Sequence, residues 1–190
     1  VQTLAQAEDV QAELEVEPYT HQAANILVGN LENPKNIVFT HYDSIELGAI
    51  DNASGSYMTM RLILDAPETL ADTLYVFDGN EELSYDYPIY WGHGYREFQK
   101  AYGHLMESCH KIIILDSLGN TKTLVSNDPH LVRLGFPVEN MESLVDKVSF
   151  YMGEYDDLMK VYQSSADTLD GLSQEYFDEA FQMVRESLTS

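Results

Sequence analysis

The apolar positions of this chain fall into two periods. "NIVFTHY" (36–42), "TLYVFDG" (73–79) and "KIIILDSLG" (111–119) are short continuous apolar runs, the pattern of strands buried on both faces. "AANILVGN" (23–30) reads as a strand closed by Gly29 and Asn30, and "ELEVEPY" (13–19) alternates as a strand does. Elsewhere the period lengthens to that of helices, over 4–12, 56–64, 93–108, 127–134, 141–159 and 173–188. The last carries Tyr176, Phe177, Ala180, Phe181, Val184 and Leu188 on one stripe. "GFPVENM" (135–141) predicts a short strand, and "LENPKN" (31–36) a turn at Pro34.

Strands alternating with helices predict an α/β fold. The expected form is a three-layer α/β/α sandwich around a mostly parallel, mixed central sheet, with residues 1–190 forming one domain. Such sheets place ligand sites beyond the carboxyl ends of their strands. The informative residues lie there. Phe39 is followed by His41 and Asp43, Phe77 by Asp78, Glu81 and Glu82, and Leu115 by Asp116. Asp51 follows ten positions after His41, in the small-residue loop "GAIDNASG" (48–55). Plain strand ends need turn residues, not an imidazole and several carboxylates. A hydrolytic metal centre needs that set aimed inward, with a base to take a proton from water.

Composition narrows the partners. With 32 acids against 10 bases the net charge is −22, which repels nucleic acid and anionic membranes and favours cations. The bulk of that charge reads as solubility. The single Cys109 excludes an internal disulfide and a Cys-based zinc cluster. No apolar run is long enough to span a bilayer. No signal-peptide pattern opens the chain, which points to the cytoplasm, while a start without Met leaves export of a longer precursor open.

Taken together, "THYDS" (40–44), "GAIDNASG" (48–55), "GNEELS" (79–84), "IILDSLG" (113–119) and "VYQSSADTLDGLSQEYFDEAF" (161–181) resemble the co-catalytic zinc peptidases. That family includes bacterial leucyl aminopeptidases, glutamate carboxypeptidase-type enzymes and the related glutaminyl cyclases. The resemblance implies an exopeptidase acting on a peptide substrate through metal-activated water, with one or two Zn2+ or another divalent ion. It implies His41 and Asp116 as ligands of one metal, Asp51 as the bridge, and Glu82 as a ligand of the other. Glu81 would be the general base, Asp43 would brace the His41 imidazole, and Asp167 would brace the site or its closing loop.

Two departures stand out. Gln163 occupies the place of the family's last metal-binding His, and offers only a neutral carbonyl oxygen, a poorer zinc ligand. His93, His104, His110 and His130 are the candidates to replace it. Against the family's pattern, most of the N-terminal helix is expected to be cut away, which would leave the cleft open or call for a second subunit, a homo-oligomer, to wall it. The alternative to an enzyme is a degenerate homologue that binds a peptide or partner without catalysis, and glutaminyl cyclisation is a third reading.

Each residue also has a plainer reading. His41 alone would be a satisfied structural histidine, Asp51 a helix cap, and Glu81-Glu82 a solvated acidic pair. The cluster Tyr85, Tyr87, Tyr90, Trp91 and Tyr95 reads as packing rather than substrate wall.

Overall fold

A computed structural model describes residues 22–83 and 89–189. The helix expected at 4–12, the strand at 13–19, and Tyr85 and Tyr87 lie outside them. Among the described residues six strands form one sheet: β1 (Ile26–Gly29), β2 (Asn36–His41), β3 (Thr73–Asp78), β4 (Lys111–Leu115), β5 (Leu124–Ser126) and β6 (Val148–Met152). Their order is β1-β3-β2-β4-β6-β5. The four inner strands run parallel, and the edges β1 and β5 are antiparallel to their neighbours. This is the mixed, mostly parallel sheet expected of the alternating pattern.

Continuous apolar strands work here because both faces are covered. All six positions of β2 are buried. Ile37, Phe39, Leu74, Val76, Ile112, Ile114, Val148 and Phe150 face one core, packed under helix α2 (His93–Ser108) and helix α3 (Pro129–Gly135). Phe39 sits at its centre, with ring centroids 5.5 Å from Tyr95, 5.0 Å from Phe98 and 5.2 Å from Phe136. Val38, Tyr75, Ile113, Leu115 and Tyr151 face the other core, under α1 (Ser54–Asp65) and the C-terminal α5 (Gln174–Thr189). The stripe read on 173–188 is the buried face of α5, at Phe177, Ala180, Phe181, Val184 and Leu188. Asp128 caps α3, its side chain accepting from the amides of His130 (2.7 Å) and Leu131 (3.2 Å).

Two expectations fail between residues 135 and 159. "GFPVENM" forms no strand: Phe136 and Val138 bury their side chains in the core, and the chain turns at Asn140, with φ 55°. The helix expected over 141–159 is instead two 3-10 turns, the strand β6, and the short helix α4 (Tyr155–Leu158). Met141, Leu144, Val145 and Val148 are spaced as on a helix, but Val148–Met152 gains a parallel partner in β4 and an antiparallel one in β5, which outweigh local propensity.

Candidate metal centre

Parallel pairing brings the strand ends to one rim. His41 is in register with Asp78, and β4 lies on the other side of β2, ending just before Asp116. The loop 49–53 then folds back beneath them. Asn52 anchors it, its amide donating to Thr40 Oγ1 (3.3 Å) and the Leu115 carbonyl (3.0 Å), its Oδ1 accepting from the amides of Gly55 (3.0 Å) and Ser117 (3.1 Å). Ser54 Oγ donates to the Ile50 carbonyl and accepts from the Leu118 amide. The loop passes so close to β4 that a Cβ on Gly55 would lie 2.5 Å from Asn52 Oδ1 and 2.6 Å from the Leu115 carbonyl oxygen. Only glycine fits. The Asp51–Asn52 peptide bond is cis.

Asp167 locks this loop from the far end of the chain. Its carboxylate accepts from the Ile50 amide at 2.6 Å and the Asp51 amide at 3.1 Å. Asp51 is thereby aimed at His41, with Oδ1 3.2 Å from Nε2. Asp116 Oδ1 stands 3.8 Å from the same nitrogen. His41 Nδ1 faces the Asp43 main-chain carbonyl at 3.1 Å, whereas the Asp43 carboxylate is 3.7 Å away. That carboxylate accepts from the amides of Glu81 (3.1 Å) and Glu82 (3.0 Å). Asp43 thus orients the imidazole through its backbone and fixes the acid pair through its side chain.

His41, Asp51 and Glu82 are buried, and one ligand atom from each lies within 4.8 Å of the others. Gln163 adjoins this group: its amide nitrogen donates to Glu82 Oε2 and to the Tyr162 hydroxyl, each at 2.9 Å. His93, His104, His110 and His130 do not line the cleft. Tyr162 lies in the "VYQSSADT" segment without a role of its own there, so only its place beside Gln163 could have flagged it.

The electrostatics are those of crowded acids. Burial pushes the Glu81 carboxyl well above its usual range, with Asp116, Glu82 and Asp78 adding to the rise. Burial and the Asp51 charge raise Glu82 to about 7. Burial raises Asp51 as well. Burial alone would lower His41, but the carboxylates of Asp116, Asp43 and Asp51 override it and hold its proton well above the ordinary imidazole range. Beneath the site, Asp78 is fully buried, and burial raises it strongly against the opposing pull of His41, Arg96 and the Tyr95 backbone. Its Oδ1 lies where a Cβ on Gly94 would come within 1.5 Å.

A divalent cation fits this donor set. One imidazole and several carboxylates suit zinc and its harder neighbours. Glu82 Oε1 is buried without a hydrogen-bond partner, and the mutual repulsion of the acids is what a cation relieves.

The site opens on a cleft of about 400 Å3. His41, Asp51, Glu81, Glu82 and Asp116 form its floor, and Trp91, Leu131, Leu134, Met152, Tyr155, Leu158 and Met159 its walls. Trp91 was expected only to pack; its indole donates to the Leu134 carbonyl at 2.8 Å and its ring lines the cleft. Tyr95 is core. A larger cavity of about 620 Å3, beside Asn25 and α2, holds none of the candidate ligands. Among the described residues no helix is long and apolar enough to cross a membrane.

No protein-family model matches the chain, and no curated protein matches it by sequence. Solved structures do match in fold. A Zn-dependent exopeptidase from Parabacteroides distasonis superposes with a TM-score of 0.65 at 16% identity, over 86% of this chain and 76% of that one. A glutaminyl cyclase from Porphyromonas gingivalis gives 0.64 at 14% identity, over 87% and 75%. A zinc aminopeptidase from Bacillus subtilis gives 0.63 at 16% identity, over 86% and 48%, so this chain spans about half of that enzyme's length. The architecture is therefore the α/β fold that zinc exopeptidases, aminopeptidases and glutaminyl cyclases share.

Proposed function

We propose that the chain is a metal-dependent exopeptidase of the aminopeptidase type. The observation that carries this reading is the convergence of His41, Asp51, Glu82 and Asp116 on one rim, with the carboxyl of Glu81 beside them at the floor of an apolar cleft. His41, Asp51, Glu82 and Asp116 would hold the ion. A bound divalent ion supplies Lewis-acid polarisation of a carbonyl and a lowered pKa for water.

The remaining work falls to side chains. Glu81 would take a proton from the attacking water and hand it to the leaving amine. Tyr162 accepts a hydrogen bond from Gln163, which leaves its own proton to donate to a carbonyl oxygen as negative charge develops there. No Lys or Arg lines the cleft among the described residues, so nothing there matches a substrate carboxylate. The acidic floor suits a free amino group, and the walls suit an apolar side chain. A peptide with an apolar first residue is the expected substrate. Zinc-loaded protein should release aniline from leucyl-anilide faster than from glutamyl-anilide, and a chelator should stop it. Equal or absent release would count against the reading.

One observation favours a second reading, a homologue that binds peptide without turnover: Gln163 spends its amide on Glu82. Peptide binding without aniline release under metal excess is the result that would select it.

A further inference from the structure

Gln163 and Glu82 share a hydrogen bond whose direction has a consequence for metal stoichiometry. The Gln163 amide nitrogen lies 2.9 Å from Glu82 Oε2 and 2.9 Å from the Tyr162 hydroxyl. An amide nitrogen donates two hydrogens and has no lone pair to offer a cation. Both hydrogens are spent here, one on each partner. The donor therefore takes one of the two lone-pair directions of Oε2, on the side where Gln163 stands, and its partial positive charge answers part of the Glu82 charge. Gln163 holds this pose on a left-handed backbone, φ 49°, a conformation that non-glycine residues rarely adopt. The other Glu82 oxygen, Oε1, is buried with no partner. Among the described residues the only group of three or more His, Cys, Asp or Glu side chains close enough for an ion is His41, Asp51 and Glu82.

We propose that Gln163 closes the second ion position of this site, so that each chain holds a single divalent cation, at His41, Asp51 and Glu82 with Asp116 adjoining. Gln163 then acts as a neutral stand-in for a second cation against Glu82. The inference rests on the metal-dependent reading above but not on turnover.

The test is metal content. Protein equilibrated with excess ZnCl2 and freed of unbound ion by gel filtration is measured by elemental analysis, for the full chain and for Gln163→His and Gln163→Glu. One zinc per chain in the unaltered protein, rising to two in either variant, is the expected result. Gln163 is only partly buried, so both variants should fold, as circular dichroism would confirm. Two zinc ions in the unaltered protein overturn the inference whatever the variants do. One ion in both folded variants overturns the assignment to Gln163. Anilide turnover, measured on the same samples, separates the two ideas. Two ions with turnover leave the exopeptidase reading standing and this one fallen, one ion without turnover does the reverse, and no bound ion overturns both.

Discussion

Asp167 holds Asp51 by its backbone: the carboxylate accepts from the amides of Ile50 and Asp51 at 2.6 and 3.1 Å, across a sequence separation of 116 residues. The loop that presents Asp51 to His41 is therefore set by a residue just before the last helix. Partners of this kind, one step behind the ligands, are typically worth about 10–100-fold in metal affinity. Asp167→Ala should weaken zinc binding by about that factor with far-ultraviolet circular dichroism unchanged, as competition with a chromophoric chelator would show. Unchanged affinity would mean the loop holds itself.

Gly55 should resist substitution. A methyl there meets Asn52 Oδ1, Thr40 Oγ1 and the Leu115 carbonyl oxygen at 2.5–2.6 Å, two of them backbone or backbone-anchored. Overpacking of this sort costs about 1–3 kcal/mol. Gly55→Ala should lower the urea midpoint accordingly; a neutral effect would show that the loop can back away from β4.

The raised acids and imidazole make a prediction about pH. Glu82 titrates at about 7 in the folded, metal-free chain against 4.5 for an ordinary glutamate. His41 titrates well above 6.5. In both cases the folded state binds more protons than the unfolded one, so stability falls as pH rises. For Glu82 the loss runs from about 4.5 to about 7, and for His41 it begins near 6.5 and continues through the raised folded value. Metal-free protein should therefore lose melting temperature as pH rises from about 5 through 7 and beyond, and zinc should remove most of that slope because it competes with those protons. Calorimetry in buffers of different ionisation heat should show protons released on zinc binding at pH 7. No release would contradict the assignment of these ligands.

Tyr162 gives a prediction of kinetics rather than binding. If its hydroxyl donates to the developing oxyanion, Tyr162→Phe should lower kcat by about 100-fold with KM little changed. A rise in KM at constant kcat would instead make Tyr162 a wall of the cleft.

Much of this was legible in the chain. The three apolar runs ending in His41, Asp78 and Asp116 are inner strands, because strands buried on both faces announce themselves as continuous apolar segments. Strand β6 was hidden because its apolar residues continue a helical spacing from Met141, and β5 because it has three residues and exposes Leu124 and Val125. The ligand candidates could be read from residue type and order. The carbonyl of Asp43 on His41, the hydroxyl of Tyr162 and the walls from Leu131, Leu134 and Met159 could not, since each depends on which loops fold together. Gln163 shows both sides: its substitution was visible, but the direction of its hydrogen bond needed the three-dimensional arrangement.

The central claim is that Glu81 moves protons at a metal-dependent peptidase site. The most direct measurement is leucyl-anilide turnover by zinc-loaded Glu81→Gln beside the unaltered chain, with zinc content determined on both. Loss of a general base is worth about 10²–10⁴ in rate. Turnover falling by at least about 100-fold with zinc content unchanged is the expected result. Turnover retained in Glu81→Gln, or absent in the unaltered zinc-loaded chain, would contradict the account.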